Sequence, residues 1–513
     1  MSGYLRRLAT TGAAYTAASI VSKLIAVALL PLYTRYLSPA DYGAAEVMFA
    51  AVVSASIVVR FGTIEALLRF YYKDDEDPAA VVATSFAALF WFSTAAALIA
   101  LPFAGPISEA LLDRSAPDLA RISIGGLWVL TMVEYLLTLF RLEERARAYF
   151  VTTILNVLGA IGLTVILVVG RGEGARGLLL GSYVSGALVA LALIVVHRRR
   201  LSLWIDGPLL RRLTRFGLPT MPAELSLYLL NFVDRIVIVR SAGLAEAGLY
   251  SLAVKFAQAV NVLVRGFQLA WPPLAYSIRD DGEARRAYAA VVTWFVTGCA
   301  FVVTGMWLFS RWIVRVLAAP QFFDSYEAIG LVATGVTLYA LYMVLVVILG
   351  RTGRTEFNFP ATIAALVANV ALNLALVPSL GIVGAGLALV ASYVVVVALM
   401  YVFTQRLFPV PYQWGRLARV VFVSAALVGL AELLLPTAGF VGLLTRIVFW
   451  LAYPALLLLS GFFTDEERSW LSRLRHPGEL LASFRAVQAR PAVVNGQLPE
   501  VYEAERMDED SRL

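Results

Sequence analysis

Six polar side chains recur along one apolar stretch of the chain at a spacing that places them on one side of a helix. These residues are Ser251, Lys255, Gln258, Asn261, Arg265 and Gln268. Because an α-helix has about 3.6 residues per turn, separations of three and four positions predict a single polar face. Lysine and arginine bind phosphate or carboxylate through charge-assisted hydrogen bonds. The stripe therefore predicts a hydrated, anion-binding surface.

Ionisable and polar side chains also occur in neighbouring apolar stretches, where a charge is costly unless it has a function or a partner. Arg60 shares a helical face with Glu46, and Asn231 shares one with Glu224. Lys23 lies near the middle of the first apolar stretch. Together with the stripe, these positions predict a water-filled, cationic cavity. Its candidate substrate-binding residues are Lys23, Arg60, Asn231, Lys255, Gln258, Asn261 and Arg265.

Each of these cations also has a structural interpretation. Arg60 lies about 10 Å from the cytosolic end of its stretch, so its side chain can extend to the membrane interface. The same holds for Arg265. Lys23 and Lys255 lie deeper, and their alternative is an ion pair with a buried carboxylate. The carboxylates available for such a pair are Glu46, Glu224 and Asp234.

Buried carboxyl groups are candidate sites for a bound proton or sodium ion. The candidates for ion coupling are Glu134, Glu224 and Asp234, with Glu432 as a further case. Their alternative is a carboxyl group that is satisfied by internal hydrogen bonds. His197 and His476 have no cysteine or histidine at ligand spacing, and Cys299 is the one cysteine of the chain. We therefore expect no metal, cofactor, disulfide or catalytic residue.

Helices that cross a membrane must position these side chains. The chain is 60% hydrophobic and 15% charged, with a mean hydropathy of +0.78, and this composition excludes an ordinary soluble domain. About 20 apolar residues are needed for a helix to cross about 30 Å of hydrocarbon. The predicted spans are residues 13–36, 42–66, 79–102, 119–140, 149–170, 177–196, 218–239, 246–275, 288–310, 327–349, 358–378, 383–404, 417–435 and 441–462.

Basic residues collect in every second connection between these fourteen spans, 21 on one side against 8 on the other. Short basic loops stay in the cytosol, so both termini are predicted to be cytosolic. The first span is too long for a cleaved signal peptide and contains Lys23, so we expect it to be retained. The net charge of +7 belongs to these loops and does not indicate nucleic-acid binding.

Two pairs of landmarks recur at nearly the same offset and indicate an internal duplication. Tyr42 and Tyr250 are 208 positions apart, and Ser182-Tyr183 recurs 210 positions later as Ser392-Tyr393. A parallel repeat of six helices places a substrate site between the two halves. The predicted organisation is a first bundle at 1–200, a basic linker at 201–217, a second bundle at 218–410, two additional spans at 411–463 and a cytosolic, partly disordered tail at 464–513.

Several short motifs resemble those of the bacterial polysaccharide-export flippases, which move oligosaccharides linked to undecaprenyl pyrophosphate. The segment Arg35 to Gly43 resembles their R-x-L-G-x-x-x-Y-G junction, although Ser38 replaces the usual glycine. Asp234-Arg235 and Gly248-Leu249-Tyr250 are similar to further family features, as is Asn373 followed by Gly381-Ile382-Val383-Gly384-Ala385. The resemblance covers the chain to about residue 462.

This resemblance implies an all-α protein of fourteen transmembrane helices. Two pseudo-symmetric six-helix bundles form a V that opens alternately to either side, with two extra C-terminal helices. It also implies a bacterial inner-membrane flippase that carries a lipid-linked oligosaccharide to the outer leaflet for polysaccharide or O-antigen biosynthesis. Spans thirteen and fourteen would form a groove for the lipid tail. The implied partners are this glycolipid, membrane lipids, a polysaccharide polymerase and glycosyltransferases.

Three other functions are compatible with many spans. A drug or ion antiporter of the same superfamily would need a buried carboxylate for coupling and usually has twelve spans, whereas a cationic stripe favours an anionic substrate. A lipid II flippase belongs to the same superfamily. A membrane glycosyltransferase or polymerase generally carries its catalytic residues in a large exterior loop. Here the longest exterior connections are about 103–118 and 311–326, without a dense acidic motif.

Overall fold

The computed structural model describes residues 21, 25, 27–73, 76–230, 232–465 and 467–468, and every regular element within them is a helix. Two predicted binding residues, Lys23 and Asn231, lie outside this described part, as does most of the predicted tail. The helices are α1 (Leu30–Tyr36), α2 (Pro39–Arg60), α3 (Thr63–Phe70), α4 (Pro78–Ala100), α5 (Ala104–Leu112), α6 (Pro117–Leu142), α7 (Ala146–Thr164), α8 (Gly174–His197), α9 (Gly207–Gly217), α10 (Met221–Leu229), α11 (Val233–Ala242), α12 (Leu244–Ala257), α13 (Val260–Ser277), α14 (Asp281–Leu317), α15 (Tyr326–Arg351), α16 (Asn358–Leu407), α17 (Trp414–Leu434) and α18 (Gly439–Leu459).

Ten helical segments of the described residues are long and apolar enough to cross a membrane, which makes this a multi-pass membrane protein. Nine of them coincide with one predicted span each, and α16 contains both the eleventh and the twelfth. The backbone of α16 leaves helical geometry at Gly381, where φ is +54° and ψ is −133°. This residue separates the two predicted spans. The total of fourteen spans stays a prediction.

The seventh and eighth predicted spans are not single helices. Residues 218–239 contain α10 and α11, which are separated near Leu230. Residues 246–275 contain α12 and α13, which are separated at Gln258 and Ala259. Hydropathy does not reveal either break. It indicates how long an apolar stretch is, but not where the backbone hydrogen bonds within that stretch change.

Capping residues define where several helices begin. The Oγ of Ser38 accepts a hydrogen bond from the Asp41 backbone N–H at 3.1 Å, and Pro39 occupies the first turn of α2. The Asp77 carboxylate accepts from the Ala79 N–H at 2.9 Å, ahead of Pro78 in α4. A cap of this kind stabilises a helix by about 1 kcal/mol. It fixes the start of α2, the helix that carries Glu46 and Arg60.

Backbone contacts join helices that precede residue 200, the first half, to the linker helix α9 and to helices that follow residue 218, the second half. At the start of α2, a Cβ added to Gly43 would overlap the carbonyl oxygen of Leu244, and one added to Gly248 would overlap that of Pro39. At the other end of α2, Gly62 and Gly217 are equally close to each other. Helix α2 therefore contacts α12 at one end and the end of the linker helix α9 at the other, and only glycine permits these approaches.

Packing divides the chain into two units, Met1–Trp450 and Leu451–Leu513. In the first unit, a large core surrounds the fully buried tyrosines Tyr42 and Tyr250. The Tyr42 ring meets the edge of Phe322 at a centroid distance of 5.8 Å. The described part of the second unit contains the end of α18 and the adjacent rings of Phe462 and Phe463.

Candidate functional site

The break between α12 and α13 divides the predicted polar stripe into two groups with different surroundings. Backbone N–H groups around the break bond three residues back instead of four, as in Asn261 N to Gln258 O at 3.0 Å. The Asn261 side chain also donates to Gln258 Oε1 at 2.5 Å. The expectation of one continuous helical face is therefore wrong, because the local hydrogen bonds change the helical rotation between Lys255 and Arg265.

The group on α12 contacts charged residues of other helices. The Lys255 Nζ donates to Glu46 Oε1 on α2, and it lies 5.3 Å from the centre of the Tyr42 ring. This is the ion-pair alternative that the sequence left open for Lys255. Because its charge already has a carboxylate partner, Lys255 joins α2 to α12 and is a weaker candidate for phosphate binding.

Asp234 and Arg235 also form contacts inside the protein. The Asp234 side chain is 1% exposed and accepts a hydrogen bond from the Tyr250 hydroxyl at 2.6 Å. The Arg235 Nε donates to Ser251 Oγ at 3.2 Å. These bonds satisfy a buried carboxylate and hold α11 against α12, so they provide a structural role for both residues.

Arg60 lies between two carboxylates from different parts of the chain. Its Nη1 donates to Glu134 Oε2 on α6 at 2.9 Å, and its Nη2 donates to Glu224 Oε1 on α10 at 3.0 Å. Arg60 is 8% exposed, so its guanidinium is enclosed by protein groups and has carboxylate partners. Two of the three candidate coupling carboxyls thus share one guanidinium.

The remaining stripe residues line a cavity of about 360 Å³ between α13 and α15. Its polar wall consists of Gln258, Asn261, Arg265 and Gln268. Trp271 and Tyr339 provide an aromatic wall that the sequence analysis missed, because aromatic residues in apolar spans have no distinguishing pattern. Among the described residues, no carboxylate lies within 4.0 Å of the Arg265 guanidinium. Arg265 therefore differs from Arg60 and Lys255 in offering an uncompensated charge to a ligand.

A second cavity, of about 510 Å³, lies between α14, α15 and α17 and is almost entirely apolar. Valines and small residues form most of its surface, and the few polar atoms come from Thr304, Trp307, Thr334, Thr337 and Ser424. Its size falls within the range typical of ligand pockets. A groove of this composition is suited to hydrocarbon and not to a charged group.

The further carboxyl considered from sequence, Glu432, is satisfied by two arginines. Its Oε2 accepts from Arg311 Nη1 at 2.7 Å, and its Oε1 accepts from Arg446 Nη1 at 2.6 Å. Arg446 is fully buried and also donates to the carbonyl oxygen of Leu308 at 3.3 Å. This cluster connects α17, α14 and α18, so the satisfied-carboxyl interpretation of Glu432 agrees with the structure.

No group of three histidine, cysteine, aspartate or glutamate residues within the described ranges is arranged to hold a metal ion. The site is thus formed by amides, aromatic rings and a guanidinium. Its chemistry is binding by hydrogen bonds, ring faces and charge.

The fold is that of two groups of membrane transporters. The chain is similar to the lipid II flippase MurJ in an inward closed conformation, with a TM-score of 0.68 over 88% of this chain and 98% of that chain at 12% identity. It is also similar to an inward-facing multidrug resistance MATE family transporter of the MOP superfamily. There the TM-score is 0.63 over 75% of this chain and 95% of that chain, at 18% identity.

Sequence comparison assigns the family within this fold. Residues 8–279 match the family described as polysaccharide biosynthesis protein, and the chain belongs to that family. A curated relative is the succinoglycan biosynthesis transport protein ExoT of Rhizobium meliloti (strain 1021), 27% identical over 319 residues. The match covers 59% of this chain and 61% of that relative. The family resemblance inferred from the sequence motifs is confirmed.

Proposed function

We propose that this protein is a flippase that moves an oligosaccharide linked to undecaprenyl pyrophosphate from the cytosolic to the outer leaflet of a bacterial inner membrane. The observation that carries the proposal is the Arg265 cavity. Arg265 lies twelve residues before the end of α13 at Ser277, which is about 18 Å along the helix. A guanidinium at this depth without a carboxylate partner is costly unless the cavity holds water or an anionic ligand.

The composition of the cavity matches the head of such a substrate. A pyrophosphate-linked sugar has oxygen-rich, hydrated surfaces and a negative charge, so it cannot cross hydrocarbon unaided. The guanidinium of Arg265 would pair with the phosphate or with an acidic sugar. The amides of Gln258 and Asn261 would bond sugar hydroxyls, and Tyr339 and Trp271 would face the sugar rings. Lys23 and Asn231 remain proposed contributors to this site.

The apolar cavity beside α17 supplies a place for the other part of the substrate. An isoprenoid tail stays in hydrocarbon throughout transport and needs only an apolar path next to the head-group site. Two of its walls are formed by α14 and α15, which are helices of the second half. Helix α15 also lines the Arg265 cavity. We infer that span thirteen holds the tail here, and that span fourteen extends the groove for the tail outside this cavity.

Transport would proceed by alternating access of the two halves, with both termini in the cytosol. Because the substrate must be made before it is moved and polymerised afterwards, glycosyltransferases and a polysaccharide polymerase are the proposed partners. The family assignment and the name of the Rhizobium relative support the polysaccharide context. Glu134, Glu224 and Asp234 remain the proposed ion-coupling groups.

The test is a pair of Arg265 variants in a strain without the chromosomal copy of the gene. Arg265→Ala should reduce cell-surface polysaccharide at least tenfold at normal membrane abundance, since a charge-assisted hydrogen bond contributes about 1.5–3 kcal/mol. Arg265→Lys should retain part of the activity. Arg176→Ala, an exposed arginine in a predicted exterior connection, serves as a matched control. Normal polysaccharide in Arg265→Ala cells would refute the role of this cavity.

A further inference from the structure

The cytosolic end of α2 holds a cluster of ionisable groups that lies outside the Arg265 cavity. It consists of Arg60, Glu134 and Glu224, here called the cytosolic cluster. Arg60 and Glu134 belong to the first half of the chain, whereas Glu224 belongs to the second. The 3.0 Å contact between Arg60 and Glu224 therefore joins the two halves.

A close backbone contact lies beside the cluster. Gly62, two residues after Arg60, contacts Gly217 at the end of the linker helix α9, only seven residues before Glu224. This contact holds the linker against the first half next to the cluster. An opening of the halves toward the cytosol must separate Arg60 from Glu224, because the two side chains are on helices of different halves.

The charges of the cluster do not balance. Within the described residues, the charged groups that act on both Glu134 and Glu224 are Arg60 and Glu65 on α3. Two carboxylates thus contact one guanidinium, and the charge of Glu65 acts on both of them. A proton can compensate the excess negative charge by binding one carboxylate oxygen, and the described residues offer no arrangement for a metal ion.

We propose that the cytosolic cluster is a proton-sensitive latch, in which ionised Glu224 holds the cytosolic end closed and protonated Glu224 releases it. The inference rests on the proposed alternating-access function. When Glu224 is ionised, opening leaves this carboxylate without Arg60, its cationic partner among the described residues. When Glu224 is protonated, it is neutral and leaves Arg60 with Glu134, so opening strands no charge.

This arrangement predicts opposite effects for the two carboxylates. Glu224→Gln mimics the protonated form and should favour the open state. Glu134→Gln should favour the closed state, because opening would then leave Arg60 without any carboxylate partner. A merely structural cluster would give the same direction of change for both variants, since each removes one ion pair.

The experiment measures the distance between the halves in the full-length protein in lipid nanodiscs. Spin labels are attached to cysteines at the exposed positions Arg147 and Arg279, after replacement of Cys299, and distances are read by double electron–electron resonance. Acidification from mildly alkaline buffer should raise the open population of the unmodified cluster about tenfold. Glu224→Gln should be open in both buffers, and Glu134→Gln should be closed in the alkaline one. The control is Glu76→Gln, which removes a bidentate pair with Arg212 on the cytosolic surface and should change neither population.

Three results would overturn the proposal: no change of distance with acidification, the same direction of change in both variants, or a response to sodium in place of protons. The measurement contains no glycan, so it is independent of substrate identity. If the latch fails here while Arg265→Ala still abolishes export, the flippase assignment stands and only the latch is lost. If the latch behaves as expected while Arg265→Ala cells export normally, the substrate assignment is lost instead.

Discussion

The Lys255–Glu46 contact leads to a quantitative prediction about how α2 and α12 are held together. Lys255→Met and Glu46→Gln each remove one charge of the pair and leave the other charge without its partner. Stranding a fully buried charge costs about 3–5 kcal/mol. The Lys255 side chain is 37% exposed, whereas that of Glu46 is 12% exposed, so solvent reduces the cost. We expect each single variant to lose about 1–3 kcal/mol of unfolding free energy.

The double variant Lys255→Met/Glu46→Gln should be more stable than the sum of the single effects predicts. With neither charge present, no group is stranded, and the methionine retains the packing of the lysine chain against Tyr42. The coupling energy should therefore be about as large as one single effect. Equilibrium unfolding in mixed micelles with increasing SDS measures all four proteins. Lys255→Arg, which keeps the charge, is the control.

Additive effects of the two substitutions would refute this reasoning, because additivity means that the two charges do not interact. The competing hypothesis from the sequence, that Lys255 binds the substrate phosphate, predicts a different result. It requires Lys255→Met to abolish export while leaving stability unchanged. Measuring export and unfolding on the same variants separates the two.

Three further predictions concern other parts of the molecule. Gly248→Ala should prevent the close contact of α2 with α12 and reduce export. Gly266→Ala is the control, because an added Cβ there meets no atom within 4 Å. Export is compared at equal membrane abundance. Glu432→Gln should destabilise the protein by about 1–3 kcal/mol, because the fully buried Arg446 loses its carboxylate partner. SDS unfolding should show the loss, whereas the exposed Glu356→Gln, in a predicted cytosolic loop, should not change stability. A cysteine at Asp113 should react with an impermeant maleimide in intact cells while one at Arg199 should not; the reverse pattern would contradict the predicted orientation.

The positions of the long spans were predictable from the sequence because twenty consecutive apolar residues have few alternatives to a membrane helix. The breaks at Leu230 and Gln258 were not, since the polar residues near them, such as Gln258 and Asn261, keep a helical spacing that gives no sign of a change in backbone hydrogen bonding. The family was identifiable from motifs such as Asp41-Tyr42-Gly43. In the structure, the reason for this motif is local: Asp41 completes the cap of α2, and Gly43 allows the approach of Gly248.

The candidate site was only partly predictable. The amide and guanidinium groups of the Arg265 cavity followed from helical spacing, which needs no knowledge of neighbouring helices. Predicting the partners of Lys255 and Arg60 would have needed knowledge of the neighbouring helices. Glu46 is 209 positions from Lys255 in the sequence, and Glu224 is 164 positions from Arg60. Spacing gives the direction in which a side chain points but not the charge that it meets. Two of the predicted cations consequently have carboxylate partners, and among the described ones the third, Arg265, faces a cavity.

The glycine contact between α2 and α12 has a consequence for the energetics of cycling. Gly43 and Gly248 have no side-chain rotamers, so bringing the helices together orders no side chain at the point of closest approach and costs little conformational entropy there. Separating them exposes backbone that is already hydrogen-bonded within each helix, so no hydrogen bond is broken. A contact of this kind forms and separates with a small net change in free energy. If the two halves move against each other as proposed, the glycine contact adds little to the cost of separation, and that cost falls on side-chain contacts such as Lys255–Glu46.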